Sequence, residues 1–74
     1  MGRIEKILEK MRNQPRGITY EEAAKVLESR GYVLVRSNGS HRVFRNDAGN
    51  VFVLKEKNPL KISYITEILE RLGE

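Results

Sequence analysis

Two segments rich in β-forming residues flank the dipeptide Asn38-Gly39, and this pattern limits the possible folds of the 74-residue chain more than any other feature. Asn-Gly is a strong signal for a two-residue β-hairpin, because a type I′ turn requires positive φ at both central residues. The sequence therefore predicts strands over residues 32–37 and 40–46. The predicted register pairs Ser37 with Ser40, Arg36 with His41, Leu34 with Val43, and Val33 with Phe44.

A second turn is predicted at residues 46–50, where Gly49 suits the left-handed position of a three-residue loop. This loop pairs Asn46 with Asn50 and starts a third strand over residues 50–56, with Phe44 opposite Phe52 and His41 opposite Lys55. Side chains directly opposite share a sheet face, so the predicted core face consists of Val33, Val35, Phe44, Phe52 and Leu54. The other face carries Tyr32, Leu34, Arg36, His41, Val43, Arg45, Val51, Val53 and Lys55.

Apolar residues at helical spacing lie on both sides of the strands. They predict a helix over residues 3–12 and another over residues 62–72, the latter with Ser63 as a candidate cap. Thr19 and Glu22 have the spacing of a capping box, which opens a second helix before the first strand. The predicted order is α-α-β-β-β-α. An antiparallel meander with helices on one face belongs to the α+β class.

Size and composition exclude several kinds of site. A chain of 74 residues allows one small domain, with little room for an enclosed cofactor cavity. The absence of cysteine and the single histidine argue against a disulfide framework and a zinc cage. The longest uncharged apolar run, residues 51–54, is far shorter than the ~20 residues of a membrane span, and the N-terminus lacks the apolar core of a signal peptide. We therefore expect a cytoplasmic domain without a metal or other cofactor.

The charge distribution suggests a polyanionic partner. The net charge is +4, and residues 30–61 carry seven basic and two acidic groups, a local charge of +5. His41 lies in this segment, and histidine is the side chain best suited to proton transfer near neutral pH. We expect Arg36, Arg45 and Lys55 around it, because cations favour a neutral imidazole and can also hold a phosphate. A base beside a phosphate clamp is the minimum needed to cleave RNA through its 2′-hydroxyl.

Ordinary structural roles compete for each of these residues. A lone histidine beside a hairpin turn is more often a surface residue than a catalyst, Gly39 serves its turn alone, and Ser40 more often begins a strand than attacks a substrate. Two other functions therefore stay open on composition and spacing. One is a non-catalytic RNA-binding module that uses Lys55, Lys57 and Lys61. The other is an interaction domain whose apolar strand residues dock on a partner protein.

Several of these features occur together in a known family. A helix ends in Arg30-Gly31-Tyr32, the segment Gly39-Ser40-His41-x-x-Phe44 follows one strand later, and Asp47-Ala48-Gly49 precedes the last strand and the C-terminal helix. In this order they resemble the HicA-type, or YcfA-like, mRNA interferase toxins of bacterial toxin-antitoxin systems. The resemblance covers about residues 18–72.

The resemblance implies a fold like that of double-stranded-RNA-binding domains for residues 18–72, within a single domain that begins with a helical extension over residues 1–17. It also implies a metal-independent endoribonuclease that cleaves mRNA, and a HicB-type antitoxin that covers the active surface. The family's catalytic histidine maps onto His41 and its glycine turn onto Gly39. The predicted substrate-binding residues are Arg36, Gly39, Ser40, Arg45 and Lys55.

Overall fold

A computed structural model of the chain describes residues 2–74. Its elements are α1 (Arg3–Asn13), α2 (Tyr20–Ser29), β1 (Val33–Asn38), β2 (His41–Arg45), β3 (Val51–Lys55) and α3 (Ile62–Leu72). The strands form one antiparallel sheet in the order β1-β2-β3. The predicted element order and the α+β class are confirmed.

Helix α2 begins with the predicted capping box. The Thr19 side chain accepts a hydrogen bond from the Glu22 backbone N–H at 3.2 Å, and the Glu22 carboxylate accepts one from the Thr19 N–H at 3.0 Å. The bond from the Thr19 backbone holds the pKa of Glu22 below its ordinary value, and Lys10 of α1, 3.2 Å from the carboxylate, acts in the same direction. The cap therefore also ties α2 to α1.

Helix α3 begins without a side-chain cap. Its N-cap residue is Lys61, and no side chain accepts a hydrogen bond from the first turn. The predicted cap at Ser63 is wrong, because the helix already includes Ile62 and places Ser63 inside its first turn.

The helices pack against one face of the sheet. Phe44 and Phe52 are opposite each other, as predicted, and both are 1% exposed. The ring of Tyr20 lies 6.2 Å from that of Phe44, and the ring of Tyr32 lies 5.1 Å from that of Phe52. The other buried core residues are Ile7, Leu8, Met11, Ile18, Ala23, Val26, Leu27, Leu54, Leu60, Ile65 and Ile68.

The first hairpin has a different register from the predicted one. Asn38 pairs with His41, Ser37 with Arg42, Arg36 with Val43, Leu34 with Phe44, and Val33 with Arg45. The two turn residues are therefore Gly39 and Ser40, not Asn38 and Gly39. Gly39 has a φ of 62°, whereas no residue other than glycine has positive φ in the described chain. A type II′ turn needs positive φ only at its first central residue, so Gly39-Ser40 satisfies it.

The pairing of β1 with β2 is irregular between Leu34 and Arg36, and this irregularity changes which side chains of β1 face the core. Val33 and Val35 are 58% and 53% exposed, so their predicted place in the core is wrong. Leu34, predicted on the other face, pairs with the core residue Phe44. Tyr32 is also on the opposite side from the prediction, because its ring packs on Phe52 and is 4% exposed.

The capping box generates a test of helix initiation. We expect Thr19→Ala to lower the free energy of unfolding by about 1 kcal/mol, because a backbone N–H of α2 loses its partner. Ser63→Ala is the matched control and should change stability by less than about 0.5 kcal/mol. Urea denaturation of both variants measures the difference. A larger loss for Ser63→Ala than for Thr19→Ala would contradict this description of the two helix starts.

Candidate functional site

The sheet face opposite the helices lacks a cover among the described residues. We call it the open face; it displays Val33, Val35, Arg36, Asn38, His41, Val43, Arg45, Val51, Val53 and Lys55. Val51 and Val53 are 40% and 48% exposed, in addition to the two valines of β1. Helix α1 packs against α2 and α3. The open face is therefore a mixed apolar and cationic surface.

His41 lies on the open face at the first position of β2, directly after the turn. Its side chain is exposed, and its cross-strand neighbours are Asn38 on β1 and Lys55 on β3. The pairing with Lys55 is the predicted one. Within residues 2–74 the imidazole forms no hydrogen bond, so its ring nitrogens are accessible to a ligand.

The other predicted cations are at different distances from His41. Arg36 pairs with Val43, so it lies diagonally from His41, where neighbouring residues are ~7–8 Å apart. Arg45 is four residues further along β2, which separates it from His41 by about 13 Å. The structure therefore keeps Lys55 and Arg36 near the imidazole and places Arg45 at the other end of the strand. The expectation that Arg45 adjoins His41 is wrong, because an extended strand separates such residues.

Arg42 braces the turn that precedes His41. Its guanidinium donates hydrogen bonds to the Gly39 carbonyl at 2.6 Å and the His41 carbonyl at 3.3 Å, and lies 2.6 Å from the Glu56 carboxylate. The Glu56 backbone N–H donates to the Ser40 carbonyl at 2.6 Å. These contacts hold the turn against the end of β3. Sequence reasoning missed this role, because bonds to backbone carbonyls leave no residue pattern.

Tyr20 is near this brace on the helix side of the sheet. Burial raises the pKa of its hydroxyl; the charge of Arg42 opposes the increase, and that of Glu56 adds to it. The hydroxyl therefore stays protonated at neutral pH, and Tyr20 does not supply a base to the site.

Other basic residues form two further regions. A groove of about 370 Å³ between α1 and α2 is lined by Arg3, Lys6, Ile7, Lys10, Glu22 and Lys25. Lys57 and Lys61 are exposed in the connection from β3 to α3. Neither region contains His41.

In the part of the chain from residue 2 onward, no three His, Asp or Glu side chains are grouped as metal ligands, and no helix has the length and apolar character of a membrane span.

Comparison with known proteins gives one family. The model of the family described as the HicA toxin of bacterial toxin-antitoxin systems matches residues 20–74. The matched region starts at α2 and contains the whole sheet, His41 and α3, whereas α1 precedes it. No curated protein and no solved structure shows a significant match to the chain.

The position of the turn generates a second test. Gly39→Ala should cost about 1 kcal/mol of stability, because positive φ strains a residue with a Cβ. Asn38→Ala should change stability by less than about 0.5 kcal/mol, since Asn38 is an exposed residue of β1 here and not a turn residue. Thermal unfolding of the two variants distinguishes the registers. Equal losses would favour the Asn38-Gly39 turn.

Proposed function

The chain belongs to the HicA family of toxins from bacterial toxin-antitoxin systems, because the family model covers most of its length, and from this we propose that it is an endoribonuclease that cleaves mRNA in the cytoplasm. The observation that supports the proposal most is the position of His41. The exposed imidazole of His41 follows a tight turn, and His41 pairs with Lys55 on an accessible sheet face. A base and a cation side by side are what 2′-hydroxyl chemistry requires.

In the proposed reaction the imidazole of His41 takes the proton from a ribose 2′-hydroxyl. The 2′-oxygen attacks the adjacent phosphorus, and the bond from phosphorus to the 5′-oxygen breaks. The leaving oxygen takes a proton from water or from the imidazolium. General base action contributes ~10² to 10⁴-fold, so charge stabilisation has to contribute as well. Lys55 and Arg36 are the cations near enough to stabilise the phosphorane charge.

The Gly39-Ser40 turn leaves room for the phosphate to approach the backbone. An added Cβ at Gly39 would meet no heavy atom within 4 Å, so the turn surface is open. We propose that the backbone at Gly39 and the Ser40 side chain bind the phosphate next to His41. This reaction uses only groups of the chain itself and water, and we therefore expect it to proceed without a metal.

His41→Ala is the direct test of the mechanism. We expect cleavage of a purified transcript, assayed with a metal chelator present, to fall by ~10² to 10⁴-fold, because the general base is lost. Growth inhibition on expression should disappear. The fold should persist, since His41 is exposed, and circular dichroism melting checks this. Wild-type cleavage rates in a folded His41→Ala sample would remove His41 from the mechanism.

Two further variants separate the roles of the cations in the same assay. Lys55→Ala should slow single-turnover cleavage at saturating RNA, because Lys55 lies directly opposite His41. Arg45→Ala should leave that rate nearly unchanged, since Arg45 is about 13 Å away. If the wild-type protein retards RNA on a gel without cleaving it, the RNA-binding alternative based on Lys55, Lys57 and Lys61 takes precedence.

A toxin of this family acts with an antitoxin partner, and we propose that the partner is a HicB-type protein that covers the open face. The exposed valines support this choice, because a contiguous apolar patch bordered by charged residues is typical of a protein interface. Such a partner also excludes RNA from His41, which explains inhibition without any change of conformation.

Val53→Glu tests the position of the antitoxin. A charge in the middle of the open face should weaken toxin-antitoxin binding at least about tenfold, because it would be buried without a partner. Ile62→Glu is the matched control: Ile62 is 41% exposed, similar to Val53, but it belongs to α3. Titration of each variant with purified antitoxin measures the affinity. Equal affinity of Val53→Glu and wild type would place the antitoxin elsewhere.

A further inference from the structure

A small pocket lies on the open face at the opposite end of β2 from His41. Its volume is about 300 Å³, and it is lined by Val33, Val35, Arg45, Asn46 and Asp47. The two valines are 58% and 53% exposed and form an apolar wall. The three polar residues come from the end of β2 and the following loop. An apolar wall beside a polar edge matches the surface of a nucleobase, which has a flat face and a hydrogen-bonding rim.

The polar groups of the pocket are available to a ligand. Among the described residues, Arg45 and Asp47 take part in none of the salt bridges, although both line this one pocket. The Asn46 side-chain oxygen accepts the Asn50 N–H at 2.8 Å, which leaves the amide nitrogen as a donor. The Asn46 N–H donates to the Asn50 carbonyl at 3.1 Å. The loop is therefore held in place, and it presents carboxylate acceptors beside guanidinium and amide donors.

We propose that this pocket binds a guanine base of the RNA substrate. Guanine has two neighbouring N–H donors, at N1 and the 2-amino group, next to the O6 acceptor. The Asp47 carboxylate accepts from both donors, and Arg45 and Asn46 donate to O6. Adenine and cytosine pair one amino group with an acceptor nitrogen, and uracil has a single N–H between two carbonyls. Neither arrangement matches a carboxylate as well as guanine does.

This inference rests on the proposed ribonuclease function and adds a sequence preference to it. Arg45 and His41 are on the same sheet face, about 13 Å apart along β2. A single strand with its scissile phosphate at His41 therefore reaches the pocket with a base a few nucleotides away. The exposed valines of β3 line the path between them. Arg45 then recognises a base and does not belong to the phosphate clamp.

The test measures binding separately from cleavage. The protein is the His41→Ala variant, which retains the pocket and should degrade the probe ~10² to 10⁴-fold more slowly than wild type. The probes are single-stranded oligouridines, either all uridine or with one central guanine, inosine, adenine or cytosine, and binding is followed by fluorescence anisotropy. We expect guanine to bind about tenfold or more tightly than uridine, in the range of one bidentate contact. Inosine lacks the 2-amino group and should lose most of this preference.

Asp47→Asn in the same background should abolish the guanine preference, because an amide presents only one acceptor oxygen. Glu9→Gln removes an exposed carboxylate from α1 and should leave the preference intact. Equal affinity for all probes, failure to bind any of them, or a preference that survives Asp47→Asn would overturn the proposal. If the wild-type protein cleaves RNA but the binding assay shows no preference for guanine, only the guanine pocket is contradicted. If guanine is preferred in binding but the wild-type protein cleaves no RNA, only the ribonuclease proposal is contradicted.

Discussion

The burial beneath the helices of Phe44 and Phe52, which pair across β2 and β3, is the constraint on which the rest of the structure depends. The two side chains lie opposite each other and are 1% exposed. Burying two phenylalanines supplies a large part of the apolar area available to a small core. Because side chains alternate along a strand, their burial directs His41, Val43 and Arg45 to the opposite side. Among residues 2–74, no second layer covers that side. The open face is thus a consequence of how the core is made.

The Gly39 turn and the contacts of Arg42 control the end of the open face where His41 lies. Gly39 allows the tight turn, and the contacts of Arg42 with the Gly39 carbonyl and with Glu56 hold that turn against β3. The imidazole itself has no such contacts within residues 2–74. Its backbone is therefore restrained while its ring remains free, an arrangement suited to a group that has to meet a substrate.

The open face combines chemically different regions along β2. One end has the imidazole with Lys55 and Arg36, the middle is apolar, and the other end has the pocket with Arg45 and Asp47. On our proposals RNA runs across the apolar middle from one end to the other, and the antitoxin covers the same face. The two ligands overlap, so their binding is mutually exclusive. Inhibition of the toxin then needs no allosteric change.

Local sequence patterns were sufficient to predict most helices and strands, because the residues that determine each element lie within a few positions of one another. The capping box of Thr19 and Glu22 set the start of α2, and Gly49 set the pairing of β2 with β3, including His41 opposite Lys55. The sequence alone thus determined the helices, the meander, and the face on which His41 lies. Gly39 can form a two-residue turn with Asn38 before it or with Ser40 after it, and the preference of hairpin turns for Asn-Gly favoured the turn with Asn38. The tertiary structure selects the turn with Ser40. In this register Tyr32 packs on Phe52, and Arg42 donates a hydrogen bond to the Gly39 carbonyl and forms a salt bridge with Glu56. The register and face of β1, and with them the exposure of Val33 and Val35, depended on contacts between residues distant in sequence, which no local pattern encodes.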